Sequence, residues 1–289
     1  MKLTWYLVDY INSLRCAKIL SKSCNTKYKY NTSICAIAKN EEPYIKEWLD
    51  HHFKIGFEHI YLLDNNDDEI KLELFLSDYN LRNRITIIGF NRIKPSFQSA
   101  AYHYCMLNYG FETKWMAFID IDEFFILKKH DDINIFLKSY NKYPSIIVSW
   151  VTFGSNGQVY KKEGGVLERF PLPAREGRKI DSANIAFKSL VQTICYTTHF
   201  DCVLYAHRWN FPIFNEHGKR IFGGLTKQSI DYIALNHYYT KSYEEFVSRV
   251  KSGDACNNKK TEEDFFSVNP ESMRDEILKY KNQRLIKDE

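Results

Sequence analysis

The run FIDIDEFF, residues 118–125, sets three carboxylates, Asp120, Asp122 and Glu123, among isoleucine and phenylalanine. Side chains at i and i+2 of a strand point the same way, so a strand here projects Asp120 and Asp122 together and turns Ile121 to the opposite face. Two like charges so close in a partly buried place repel, and one carboxyl titrates late unless a cation sits between them. A hard divalent ion such as Mg²⁺ or Mn²⁺ removes that conflict, typically through one or two carboxylates plus the phosphates of a substrate. The plain alternative is a pair of solvated carboxylates, because Asp-x-Asp recurs by chance in many chains. A place at the carboxyl end of a parallel strand, where open α/β sheets bind their ligands, favours the site. Glu123 points to the other face if the strand persists, with anchoring of the loop as its alternative task.

Two other expected strand ends carry polar clusters. KNEE (39–42) would end the first strand and DNNDD (64–68) the second, gathering Lys39, Asn40, Glu41 and Asp64 on the rim that holds the acidic pair. Turn formation and helix capping account for much of DNNDD, and less well for Lys39, Asn40 and Glu41. DNNDDE lacks the Gly and distal Glu of a calcium loop. The nine histidines form no HExxH or other zinc pattern. His51, His52 and His59 are expected to pack on the first helix and second strand. His237, in LNHYYTKS, follows an apolar YIAL run and precedes a helix, where a ring nitrogen could complete a metal site or satisfy a loop. His199, His207 and His217 share a segment with Asp201 and Trp209, and ordinary loop histidines explain them as well.

These residues need a scaffold, and the alternation of the chain supplies one. SICAIA (33–38) reads as a strand, followed by a helix whose apolar positions Ile45, Trp48, Leu49, His52 and Phe53 fall at helical spacing and stop at Gly56. HIYLLD (59–64), ITIIGF (85–90), WMAFIDI (115–121) and SIIVSWVTF (145–153) read as further strands. Helices are expected over DEIKLELFLSDY, over about 97–109 and over DDINIFLKSY. Strands apolar nearly throughout, alternating with helices, imply an α/β fold with a mainly parallel sheet covered on both faces. After residue 153, FGSNGQVYKKEGG and RFPLPAREGRK read as long loops over an active face. The organisation expected is an N-terminal helical segment (1–32), one α/β domain (33–255) and a C-terminal helical tail (256–289).

With 289 residues, 44% of them hydrophobic, the chain can fill a substantial core, and its 16% aromatic content suits a tyrosine-rich core or a groove that stacks on sugars or bases. Forty basic against 36 acidic residues leave a formal charge of only +4, which gives no electrostatic case for nucleic acid. Seven cysteines without a CxxC pair indicate neither a disulfide framework nor a zinc ribbon, and a reducing cytoplasm is the simpler reading. No run approaches the roughly 18 apolar residues of a membrane span. Asp9, Asn12 and Arg15 stand where a signal peptide needs an apolar core. That N-terminal segment could form an aromatic, Lys/Arg-flanked helix on a bilayer, although helices that dock on their own domain look the same and are commoner.

Several of these pieces occur in order in one family. The sequence resembles the GT-A-type glycosyltransferases of family 92 and the related bacterial family 2-like enzymes. The resemblance runs from ICAIAKNEEPYIKEWLDHHFKIGFEHIYLLDN, through QSAAYHYCMLNYGFETKWMAFIDIDEFF and SWVTFGSNGQVYKKEGGVLERF, to LNHYYTKSYEEFVSRVKSGDA, about residues 33–255. It implies a GT-A (Rossmann-like) fold and a metal-dependent, inverting transfer of a hexose, often galactose, from a UDP-sugar to a glycan hydroxyl. On the matching positions, Asp120 and Asp122 would hold Mn²⁺ (or Mg²⁺), His237 would join that metal, and Lys241 would lie near the diphosphate. Asn40, Glu41 and Asp64 would line the nucleotide, with Gln98 nearby, and FGSNG would shape the loop facing donor and acceptor.

Inversion needs one base to take the acceptor proton. The resemblance leaves Asp201, Glu168 and Asp181 for it, of which Asp201 is favoured on chain position. Animal and plant members carry a membrane anchor before the catalytic domain and this chain has none, which suggests a bacterial-type cytoplasmic enzyme working on lipid-linked glycan, peripheral at the inner face of the cell membrane. The acceptor region, 170–217, matches least. A metal-dependent nucleotidyl or phosphoryl transferase also uses paired aspartates, but the chain lacks a GxxxxGK[ST] loop. A non-catalytic glycan-binding protein on the same fold would not need the metal-binding residues.

Overall fold

The structure, a computed structural model, describes residues 2–67, 71–90, 97–174, 186–196, 203–205, 208–209, 211–222, 226–252 and 260–287. In chain order the elements are α1 (Lys2–Lys22), β1 (Tyr30–Ala38), α2 (Glu42–Lys54), β2 (His59–Asp64), α3 (Lys71–Phe75), β3 (Ile85–Gly89), α4 (Phe97–Tyr109), β4 (Thr113–Phe118), β5 (Glu123–Leu127), α5 (Ile133–Lys138) and β6 (Ser145–Phe153). They continue as α6 (Val166–Arg169), β7 (Phe187–Gln192), β8 (Val203–Tyr205), β9 (Arg208–Trp209), β10 (Ile213–Phe214), β11 (Arg220–Ile221), β12 (Ile233–Tyr238), α7 (Tyr243–Ser252), α8 (Glu262–Phe266) and α9 (Arg274–Lys287).

The strand order is β11-β10-β6-β7-β4-β1-β2-β3. β3, β2, β1 and β4 are all parallel, and β7 enters antiparallel between β4 and β6. Residues 32–38 of β1 are buried throughout, as a parallel strand covered on both faces requires. This is the expected α/β architecture with its mainly parallel sheet.

Local chemistry sets the elements. Pro43 opens α2, where a missing N–H costs nothing. Gly56, at φ 100°, ends it in a conformation that side chains resist. The predicted face, Ile45, Trp48, Leu49, His52 and Phe53, is the buried one. Asp132 caps α5 by accepting from the N–H groups of Asn134 and Ile135.

The apolar core lies on two sides of the sheet. Trp48, Phe57, Trp115, Phe124 and Phe136 fill one side under α2 and α5. Cys35, Tyr61, Tyr102, Phe118 and Trp209 fill the other under α4. A third cluster, built on Phe246, Phe265, Met273 and Ile277, joins α7, α8 and α9. Among the described residues, no helix is long and apolar enough to cross a membrane.

One element departs from expectation at the point of most interest. The strand expected over 115–121 ends at Phe118, and a new strand, β5, starts at Glu123 and pairs antiparallel with β12. Asp120 and Asp122 therefore lie in the connection, not in a strand. The turn closes because the Glu123 N–H donates to the Asp120 carbonyl at 3.1 Å while the Asp120 N–H donates to Glu123 Oε2 at 3.0 Å.

Candidate functional site

The carboxyl ends of β1 and β4 meet the start of α7 around a cavity of about 610 Å³. Its lining includes Asn40 and Glu41 after β1, Gln98 on α4, and Asp120 and Asp122 after β4. His237 on β12, Lys241 and Arg249 line it as well. With Lys39, eight of the positions singled out in the sequence thus converge, although they span some two hundred residues. Asp64 also stands at its expected strand end but is not among the lining residues. It is buried, its Oδ1 accepts from the backbone and side-chain nitrogens of Asn66 at 2.9 and 2.8 Å, and its Oδ2 has no hydrogen bond among the described residues.

Asp201 and Asp181 lie outside the described residues, as do His199 and His207. Glu168 is exposed on α6 and does not line the cavity. His51 and His52 pack against the apolar core as expected, the latter stacked on Phe124, while His59 stacks on Tyr30.

The two aspartates occupy different surroundings. The Asp120 side chain is 34% exposed and bonded to Gln98 Nε2 at 3.0 Å and to Lys188 Nζ at 2.7 Å. Asp122 is 2% exposed and receives Arg249 Nη1 at 2.6 Å, with His237 Nε2 at 3.6 Å from the same oxygen. Burial raises the Asp122 carboxyl, but Arg249 and His237 outweigh it and hold the group well below the usual carboxylate range. Burial lowers the His237 imidazole, against the pull of Asp122, which favours the neutral ring a metal ligand needs.

Glu123 is fully buried, and burial drives its carboxyl well up despite Lys188 nearby. Lys188 itself stays charged: burial opposes its ammonium, and Asp120 and Glu123 together more than compensate. Burial raises Glu41, partly offset by Lys241 and Arg249, and lowers Lys241, partly offset by Glu41 and Asp122.

Asn40 and Lys241 share a further property. Both hold left-handed backbone, φ 55° and 54°, which non-glycine residues seldom adopt. The Asn40 N–H is tied by Asn66 Oδ1 at 2.8 Å. Lys241 Nζ sits over the Tyr44 ring at 4.3 Å.

Asp122, Glu123 and His237 each offer a ligand atom, and those atoms lie within 4.8 Å of one another. Among the described residues, Asp122 Oδ1 and Glu123 Oε1 are buried without a hydrogen bond. An unsatisfied Asp122 oxygen beside the His237 imidazole suits a hard divalent cation, so these two residues fit the metal that the resemblance implies, while Glu123 Oε1 lies 3.5 Å from Lys188 Nζ. Asp120 stands beside this group with both carboxylate oxygens already bonded.

Sequence reasoning missed Lys188, Arg249 and Trp150. Lys188 had a signal, a single lysine inside the apolar strand FKSLVQ. Arg249 had none, being one of several charges on an amphipathic helix. Trp150 lines the cavity and its ring lies 4.3 Å from that of His237.

A mainly parallel α/β sheet with a metal-competent cavity at its strand ends is the arrangement expected of a GT-A-type glycosyltransferase, and that is the class this chain resembles. Residues 28–169 match the sequence profile of glycosyltransferase family 92, so the resemblance to that family is carried by β1 through α6. A family 92 protein of Ricinus communis is 34% identical over 118 residues, 39% of this chain and 19% of its own. One of Arabidopsis thaliana is 26% identical over 145 residues, 49% of this chain and 24% of its own. The chain thus spans a quarter or less of the length of these plant relatives. Among solved structures, GalNAc-T7 with UDP, GalNAc and Mn²⁺ superposes with a TM-score of 0.41 at 12% identity, over 77% of this chain and 48% of that one. TarS of S. aureus superposes with a TM-score of 0.35 at 16% identity, over 56% and 47%.

Proposed function

We propose that this chain is a metal-dependent inverting glycosyltransferase that moves a hexose, galactose favoured, from a UDP-sugar to a hydroxyl of a glycan or lipid-linked glycan. The observation that carries the reading is the pairing of Asp122, in the β4–β5 connection, with His237 on β12, 3.6 Å apart, inside a cavity whose wall also bears Lys241 and Arg249. The family 92 resemblance supports the same class of reaction.

Bound Mn²⁺ or Mg²⁺ would stabilise charge on the departing diphosphate as a Lewis acid. Asp122 and His237 would hold the ion, with Asp120 beside them. Lys241 and Arg249 present positive charge on the wall where UDP develops negative charge, so departure needs no proton donor. Asn40, Glu41 and Asp64 would orient the nucleotide. Asp201 is the proposed base, and it would take the acceptor proton as the hydroxyl attacks the anomeric carbon from the face opposite UDP.

A bacterial surface-polysaccharide or lipopolysaccharide pathway, at the cytoplasmic face of the membrane, is the proposed setting. Support for membrane contact comes from α1, where Tyr10, Ile11 and Leu14 are exposed alongside Lys18 and Lys22 while Asn12 and Cys16 are buried.

The deciding experiment is UDP release by purified protein with Mn²⁺ across a panel of UDP-sugars, with and without glycan acceptors. UDP as the product supports the reading, and pyrophosphate in its place replaces it with nucleotidyl transfer.

A further inference from the structure

Lys188 is the one charged residue of β7, and its side chain is 1% exposed. β7 lies between β4 and β6, so Lys188 sits on a central strand, and it is not among the residues that line the cavity. It stands 2.7 Å from Asp120 Oδ2 and 3.5 Å from Glu123 Oε1. Glu123, itself 0% exposed, accepts the Asp120 backbone N–H through its other oxygen at 3.0 Å. Asp120 is therefore held at its main chain by Glu123 and at its carboxylate by Lys188, with Gln98 on the other oxygen.

Burying an ammonium and a carboxylate is costly, and a pair of this kind can often be replaced by apolar side chains without loss of stability. Packing alone does not call for these charges here, next to a turn that carries two acidic cavity residues. Partners behind the residues that contact a metal or ligand set their orientation, and their loss typically costs affinity.

We propose that Lys188, braced by Glu123, is a positioning residue that fixes the Asp120 carboxylate and the Asp120–Asp122 turn in the geometry that receives a nucleoside diphosphate. This rests on the nucleotide-sugar reading of the cavity.

The test is calorimetric titration of the full chain with UDP in the presence of Mn²⁺. It compares wild type, Lys188→Met, Asp120→Asn and the Lys188→Met/Asp120→Asn double variant, each checked for folding by thermal melt. Lys188→Met is expected to weaken UDP binding about 10- to 100-fold. Adding Asp120→Asn should then cost little more, because both changes remove one interaction. If Lys188→Met does not fold, Lys188→Met/Glu123→Gln, which removes both buried charges, takes its place in the same comparison. Unchanged affinity in the Lys188 variant, or losses that simply multiply in the double variant, overturns the inference while leaving the nucleotide reading standing. Wild-type protein that binds no UDP with Mn²⁺ overturns both.

Discussion

Glu123 and His237 are partners across the antiparallel β5–β12 ladder, which brings the residue following the acidic pair against a histidine from the far end of the domain. That pairing sets His237 Nε2 3.6 Å from Asp122 Oδ2, and it makes the metal reading testable at single residues.

Asp122→Asn and His237→Ala should each weaken Mn²⁺-dependent UDP binding by at least about 10-fold, because each removes one of few protein donors. Calorimetric titration with UDP, with Mn²⁺ and with EDTA, measures this. Equal affinity in both variants and wild type would remove the metal assignment.

Lys241→Met should raise the KM for the UDP-sugar and lower kcat/KM about 10- to 100-fold, since its charge is proposed to meet the diphosphate both bound and departing. Thermal melting should change little if the loss belongs to the ligand alone. Steady-state kinetics on the donor identified in the UDP-release panel would check it.

The Arg169–Glu245 pair links α6 to α7, with both side chains 4% exposed. Glu245 also accepts from Tyr44 OH at 2.8 Å and from the Ser242 N–H at 3.1 Å. Burial opposes its charge, but the bonds to Arg169, Ser242 and Tyr44 pull its pKa down to about 2. A folded-state pKa below the unfolded value means that the unfolded chain binds the proton more readily as pH falls. The stabilisation is therefore complete above about pH 4.5 and is lost as pH falls toward about 2. Arg169→Met should cost about 3 to 5 kcal/mol at neutral pH, as breaking a buried pair from one side does. Urea denaturation at pH 7 and pH 3 should show a smaller difference between variant and wild type at the lower pH.

Gly154, in the FGSNG loop, has no room for a side chain. A Cβ there would lie 2.6 Å from Asn269 Oδ1 and 2.7 Å from the Val268 carbonyl. Asn269 Oδ1 also receives the Ser155 N–H. Gly154→Ala should destabilise the fold by about 1 to 3 kcal/mol through this overpacking, read as a lowered Tm. A melt that matches wild type would mean that the loop moves freely away from Asn269.

Replacing Tyr10, Ile11 and Leu14 by serine should abolish co-sedimentation with phosphatidylglycerol vesicles while leaving UDP binding intact, because these exposed groups lie on the solvent face of α1. Phosphatidylcholine vesicles should bind wild type weakly, given Lys18 and Lys22. Binding that ignores both lipid charge and these substitutions would place membrane contact elsewhere or remove it.

What the sequence determined by itself was what short range can encode. Period-3.6 and continuous apolar runs specified α2, β1, β2, β3 and β6, because the faces of single elements follow from spacing alone. Parallel strands must present their carboxyl ends on one rim, so the order of strands and helices along the chain already gathers Asn40, Glu41, Asp64, Asp120 and Asp122 there. His237 was marked by its place between an apolar run and a helix, with a loop role equally open, while Gln98 and Lys241 entered only through the family resemblance. The tertiary structure decided how the charges are compensated. A local pattern extended β4 to residue 121, whereas pairing of β5 with β12 and the Glu123–Asp120 bonds broke it at Phe118. Lys188 and Arg249 reach the acidic turn from strand β7 and helix α7, far along the chain, and it is their positive charge that makes three carboxylates tolerable in so apolar a place. Spacing cannot reveal such partners, because electrostatic compensation depends on which distant elements pack together.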